Sequence, residues 1–220
     1  LLQVLDLIDF DNTDLNTKLG CQAGKNIVSG AIRNTFVGYM AGISSSTGST
    51  NAADYNTAIG FGSFVSNTTG SDNTTIGYNS LYYNTTGSQN SAIGYRSLRS
   101  NTTGNYNTAM GYYTLYANTT GSQNSGFGHY AGYFDSSGYA NATSTNSVYL
   151  GTDSKSLASG DTNEIVIGYQ ATGVGSNSVV LGNDSITKTI LKGNVGIGTT
   201  SPGDNLHVVG ESRLQPSSGS

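Results

Sequence analysis

The sequence predicts an all-β fold: short β-coils of about 14 to 18 residues stacked into a solenoid, with three identical chains sharing one interior. Three observations predict it. A repeat of 17 residues keeps its phase through five consecutive units. The composition is that of tight corners, with 31 Gly, only 2 Pro and charged residues at 10%. Apolar residues amount to 35%, below the roughly 45 to 50% of ordinary domains, so each coil has little of its own to bury.

The first element, residues 1–15, is an N-terminal connector. Leu1, Leu5, Ile8, Asn12 and Leu15 are spaced 4, 3, 4, 3, which fits the end of a short helical bundle with Asn12 as a polar register residue. Two heptads fit a short strand or a loop almost as well.

Residues 16–144 form the coil array. Units beginning at Asn56, Asn73, Asn90, Asn107 and Asn124 read NTAIGFGSFVSNTTGSD, NTTIGYNSLYYNTTGSQ, NSAIGYRSLRSNTTGNY, NTAMGYYTLYANTTGSQ and NSGFGHYAGYFDSSGYA. Weaker copies start at Asn16 and Asn34. Ile59, Ile76, Ile93, Met110 and Phe127 each precede a glycine, at Gly60, Gly77, Gly94, Gly111 and Gly128. A second apolar slot holds Phe64, Leu81, Leu98 and Leu115, with Gly132 in the fifth unit. These two columns are the expected framework of core and trimer contact. Each unit offers a strand such as Thr74 to Tyr78 and a second around Ser80 to Tyr83, joined by Asn, Gly and Ser corners. Stacking would set like residues about 4.8 Å apart, making Asn67, Asn84, Asn101 and Asn118 an amide ladder. Looped insertions fall at Ile43 to Asp54 and around Asp135 to Ser144.

Residues 145–189 hold coils of another type, where SVYLG, EIVIG and SVVLG place Gly151, Gly168 and Gly182 at periods of 17 and then 14. Residues 190–214 are a strand-rich connector and 215–220 a flexible tail. Two large apolar side chains per coil bury little against the entropy of ordering 17 residues. The remainder is expected from other chains, in a closed trimer whose glycines allow close approach.

The NSVVLGND and NEIVIGYQATG stretches resemble the heads of YadA-like trimeric autotransporter adhesins. The NTAIGY and NTTGS coils resemble a longer variant found in phage tail fibres and bacterial surface fibres, among them the mosaic adhesive trimers of predatory bacteria. ILKGNVGIGTTSPGDNLHVVG is similar to the segment that precedes an endosialidase-type intramolecular chaperone. The resemblance covers about residues 16 to 210. It implies left-handed β-rolls, a homotrimer and an extracellular fibre; no chaperone follows Ser220, which suggests cleavage or truncation.

A net charge of −4 and nine scattered Lys and Arg leave no basic stripe for nucleic acid. No apolar run approaches a membrane span, and the start lacks a basic signal region, so membrane insertion is not expected and any anchor would lie elsewhere. Cys21 is the only cysteine and reads as a small buried hydrophobe. Polysaccharide cleavage needs two facing carboxylates, yet Asp72 is the only acid from Asn56 to Phe134, and Glu164 and Glu211 lie far apart. His129 and His207 have no second ligand at metal spacing, and His129 falls in the slot of Phe61, Tyr78, Tyr95 and Tyr112 as a ladder member. No enzyme, metal or cofactor is therefore expected.

Sequons begin at Asn67, Asn84, Asn101, Asn118 and Asn141, and read as corners in a bacterial or phage fibre. The Thr68, Thr85, Thr102 and Thr119 column reads as part of the same turn and not as an ice-binding array. The candidate ligand-binding surface is the pair of variable columns, Asn79, Arg96, Tyr113 and Tyr130, and Tyr82, Arg99, Tyr116 and Tyr133. Tyr and Arg are hot-spot residues and phenol faces suit sugar rings, although aromatic ladders also stabilise strands; the loops at Ile43 to Asp54 and Phe134 to Thr145 are alternative contact sites. The expected partners are the chain itself and a surface glycan or receptor of another cell. The competing readings are a phage tail fibre, a plain spacer and, least supported by the residues, a depolymerase.

Overall fold

The computed structural model describes residues 8–11, 14–43 and 52–210. It is all-β, and its chain divides after Asp184 into two compact units. In the first, β1 (Ile8–Asp11) opens a sheet continued by β2 (Asn16–Leu19), β3 (Thr35–Val37), β4 (Thr57–Ile59), β5 (Thr74–Ile76) and β6 (Ser91–Ile93). It runs on through β7 (Thr108–Met110), β8 (Ser125–Phe127), β9 (Val148–Leu150), β10 (Glu164–Ile167) and β11 (Ser178–Leu181). Spatial order equals chain order, and each strand from β2 to β11 pairs in parallel with the next, giving a β-solenoid of about nine turns. The register is the sequence repeat itself, with Thr57 beside Thr74 and Ile59 beside Ile76.

β1 pairs antiparallel with β2, Ile8 opposite Leu19 and Asp11 opposite Asn16, and covers the first edge. The described part of the connector is thus strand, and Leu15 is an exposed turn residue at φ 57°. Leu1, Leu5 and Asn12 of the expected heptad, and residues 44–51 of the first insertion, lie outside the described residues. The unit boundary at Asp184 falls earlier than the connector expected at 190. In the second unit β12 (Val195–Ile197) and β13 (Leu206–Val208) pair in parallel.

The second strand expected around Ser80 to Tyr83 is absent: the segment is a run of turns. Asn79 and Leu81 both take left-handed φ, 50° and 48°, which keeps the chain bending where a strand would run straight. Its backbone still binds the neighbouring coils, because Asn79 N–H donates back to Phe61 C=O at 2.9 Å and Leu81 N–H forward to Ser97 C=O at 3.0 Å.

From β3 to β9 each strand turns its central residue inward. Ala58, Thr75, Ala92 and Ala109 are buried, and the space beside them is filled by Phe64, Leu81, Leu98 and Leu115. Where Gly132 replaces the leucine, the strand centre is Tyr149, whose fully buried ring occupies the vacated volume; a Cβ on Gly132 would lie 2.6 Å from it. Phe36 sits likewise against Gly24 and Gly42.

The polar interior is as regular as the apolar one. Asn34 N–H and Nδ2 donate to Asn16 Oδ1 at 2.8 and 3.1 Å, and the same pair of bonds recurs at Asn56, Asn73, Asn90 and Asn107. Each Asn of this spine is buried, so the ladder meets in the interior what water would otherwise supply. The corner column behaves as expected, with Asn84 Nδ2 to Asn67 Oδ1 at 2.9 Å, Asn101 to Asn84 at 2.8 Å and Asn118 to Asn101 at 2.9 Å.

The glycine after each strand from β2 to β10 is required by the next coil of the same chain. Gly94 has φ 132°, and a Cβ there would collide with the Gly111 carbonyl of the next coil. Among the described residues no helix is long and apolar enough to cross a membrane.

Candidate ligand-binding surface

Residue by residue, the two framework columns point opposite ways. Leu81, Leu98 and Leu115 are buried inside the coil, whereas Ile59, Ile76 and Met110 stand outward at 38, 37 and 40% exposure, with Ile93 and Phe127 half-buried beside them. A three-residue strand with an inward centre leaves both flanks on the outer face. The outer face therefore carries an aliphatic ladder that continues to Leu150 and Leu181.

Just past the glycine a second outer ladder is aromatic. The rings of Tyr39, Phe61, Tyr78, Tyr95, Tyr112 and His129 stack in sequence at centroid spacings of 5.0 to 5.3 Å. His129 lies 5.0 Å from Tyr112 with planes 9° apart, a member of the ladder. Loss of water around the rings pushes the hydroxyls of Tyr95 and Tyr112 above their ordinary pKa, opposed at Tyr95 by the charge of Arg96. Burial pushes Tyr133 up in the same sense, reinforced by Tyr116.

The variable columns follow at the left-handed corner, where Arg96, Tyr113 and Tyr130 have φ of 54°, 55° and 57°. Their backbone N–H groups donate to Tyr78, Tyr95 and Tyr112 carbonyls at 2.8 to 2.9 Å, which fixes the corner and turns the side chains outward. Asn79, at the head of this column, is instead buried, with its Oδ1 unpartnered among the described residues.

The structure brings together the other seven candidates. Arg96 Nη1 donates to Tyr113 Oη at 2.7 Å while its guanidinium lies 5.2 Å from the Tyr95 centroid and 5.6 Å from that of Tyr113. Arg99 Nη1 donates to Tyr116 Oη at 3.1 Å and Nη2 to Tyr83 Oη at 3.4 Å, with its guanidinium 4.6 Å from the Tyr83 ring and 5.3 Å from that of Tyr82. Tyr113 and Tyr116 are 4.9 Å apart, Tyr116 and Tyr133 4.9 Å, and Tyr130 and Tyr133 5.6 Å. The result is an aromatic panel with two cations at one edge. Sequence reasoning gave Phe134 to a separate contact loop and not to the panel, yet its ring stacks on Tyr133 at 4.0 Å, one residue beyond the variable slots.

The insertion after Phe134 is a closed loop. Phe134 and Ala140 pair antiparallel, and the Asp135 carboxylate accepts from Ser137 and Tyr139 N–H at 2.9 and 3.0 Å. The sequon asparagines Asn67, Asn84, Asn101, Asn118 and Asn141 are buried, and the Thr68, Thr85 and Thr102 hydroxyls donate to carbonyls of the following coil at 2.9 to 3.0 Å. Both columns are thus occupied by corner bonding. Cys21 is exposed and not the buried hydrophobe its composition suggested.

Glu164 takes the place of the Asn spine at its far end. Ser147 Oγ accepts from Glu164 N–H at 3.2 Å, and Glu164 Oε1 accepts from Gly175 N–H at 3.0 Å, leaving Oε2 buried and unpartnered among the described residues. Burial pushes its carboxyl above the ordinary range, against the lowering effect of the Gly175 N–H, with Asp161 adding to the rise. No protein-family model, curated protein or solved structure matches the chain.

Proposed function

We propose that this chain is a structural and adhesive segment of an extracellular, non-enzymatic fibre, a homotrimer of left-handed coils that presents a glycan- or receptor-binding surface for attachment to another cell. One observation carries the assembly: the outward apolar ladder of Ile59, Ile76, Ile93, Met110 and Phe127, which runs unbroken along the sheet face. A contiguous apolar stripe of this kind marks an interaction surface. Its side chains recur with the rise of the coils, so the complement with matching spacing is another copy of the chain in register. The exposed Ile197, Leu206 and Val209 of the two-stranded second unit call for the same cover, since a lone pair of strands has no core.

The second support is the aromatic panel with its arginines, a rigid surface of hot-spot residue types repeated along each protomer. Three protomers then multiply weak single contacts. Glu164, the glutamate within the coils, is enclosed where no polymer reaches it. Sedimentation equilibrium tests the assembly. A mass near three times 22.7 kDa is expected, falling toward one protomer for Ile93→Glu; a folded monomer at all concentrations overturns the proposal. Attachment to target cells that survives Arg96→Ala and Tyr113→Ala unchanged, with no glycan retained, would make the chain a spacer.

A further inference from the structure

We propose that the edge of the aromatic panel at Arg96 and Arg99 binds the anionic group of an acidic saccharide, a carboxylate or sulfate carried on a pyranose ring. This assignment rests on the adhesive reading and names its ligand class. Among the described residues neither arginine has a carboxylate partner, and the ion pair found elsewhere is Lys155 with Asp153 at 3.4 Å. In a chain of net charge −4, two guanidinium groups three positions apart in one coil are therefore uncompensated.

The oxygens of Tyr113 and Tyr116 accept from Arg96 Nη1 and Arg99 Nη1, so each phenol keeps its own O–H to donate outward. Arg96 Nη2 makes no hydrogen bond to the described protein and is not buried. The rim thus offers a guanidinium nitrogen, two phenolic O–H groups and two positive charges, and no carboxylate to compete. Such a rim favours an anion over a neutral hydroxyl, because bonds between charged partners are about twice as strong as neutral ones.

The panel behind it supplies the apolar half of the contact. Tyr113, Tyr130 and Tyr133 lie within 5.4 to 6.1 Å of one another, a span that accepts one sugar face against a ring while the anion reaches the arginines. Cation–π contacts to Tyr95 and Tyr83 hold the guanidinium groups in place before any ligand arrives, which lowers the ordering cost of binding.

The test is titration of the assembled protein with 3′-sialyllactose and with sulfated lactose, each against lactose. The acidic sugars are expected to bind at least about tenfold more tightly than lactose, with affinity falling from about 0.05 to about 0.5 M salt. Arg96→Gln and Arg99→Gln should each remove about tenfold of the acidic preference at unchanged melting temperature, and Arg96→Lys should restore part of it. Tyr130→Ala should weaken all sugars alike. Equal binding of lactose overturns the acidic assignment while leaving the adhesive reading intact. Retention of a neutral glycan array member, with the arginine variants unaffected, does the same; binding of no saccharide overturns the acidic assignment together with the glycan arm of that reading. Should a glutamine variant fail to fold, the salt dependence and the sulfated pair decide alone.

Discussion

The array between Asn56 and Asn124 and the coils beyond Ser147 solve the same interior problem with different success. In the array each asparagine of the spine from Asn56 to Asn107 is met by the identical residue one coil on, so its donors and acceptors match without any special design. Past Asn124 the spine passes to Ser147 and then to Glu164, and the period shortens to 14 between Glu164 and Ser178. The ladder ends there in a carboxylate with one oxygen unmet. Translational repetition satisfies buried polar groups at no cost in sequence complexity, and a single change of residue or period ends that benefit.

The largest expected effect breaks the array outright. Gly94→Ala places a Cβ against the Gly111 carbonyl and forces a side chain into φ 132°, and should cost about 4 kcal/mol in a thermal or chemical melt. A loss under about 1 kcal/mol would mean that the coil spacing yields more easily than its hydrogen bonds suggest.

Next comes the spine. Asn90→Ala removes the acceptor of Asn107 N–H and Nδ2 and the donor to Gly104 C=O, all buried, and should cost about 3 kcal/mol. Ser147→Ala removes one acceptor, that of Glu164 N–H, together with a bond to Thr145 C=O, and should cost about 1 kcal/mol. Equal losses at the two sites would dissolve the contrast between the regions.

Glu164 gives the contrast a pH signature. Its folded pKa is raised, so folding favours the protonated form. Stability is fully present below the unfolded value near 4.5 and is lost as pH rises through the folded value above it. Glu164→Gln should flatten that decline and raise the melting temperature above pH 7 by about 3 °C, while changing little at pH 4. Melts at matched ionic strength across this range decide it; parallel curves for both proteins would show that the carboxylate is not strained.

What the sequence could show follows from what repeats. Phase fixes register, so the pairing of Thr57 with Thr74 and the amide column at Asn67 and Asn84 were legible before any coordinates. Side-chain direction was not. Ile76 and Leu81 are equally apolar in one dimension, yet one faces out and one in, because Asn79 and Leu81 adopt left-handed φ that no propensity assigns to leucine. The interior was marked by size instead: the column Ala58, Thr75, Ala92, Ala109 and Gly126 admits only small residues, and Tyr149 enters where Gly132 makes room. The spine was missed because asparagine suits corners and interiors alike, and Asn73 and Asn90 marked only where a unit begins. Of the candidate site, the arginine and tyrosine columns could be placed, whereas the hydrogen bonds that make the rim a set of donors depend on geometry.

The smallest prediction transfers a feature from one region to the other. A second left-handed corner lies just before the strand, and in the later coils it is held by Asn146, Asn163 and Asn177 at φ 54°, 55° and 62°. The array holds the same corner with Asp72, Gln89, Tyr106 and Gln123 at φ 58° to 61°. Asparagine tolerates this conformation because its short amide bonds locally, while a tyrosine Cβ crowds its own carbonyl. Tyr106 is also 58% exposed and so recovers little by packing within the protomer. Tyr106→Asn should therefore raise stability by about 0.5 to 1 kcal/mol, read as a small increase in the denaturant midpoint at unchanged slope. A loss instead of a gain would show that the Tyr106 ring is covered in solution, and would mark this corner as a contact of the proposed trimer.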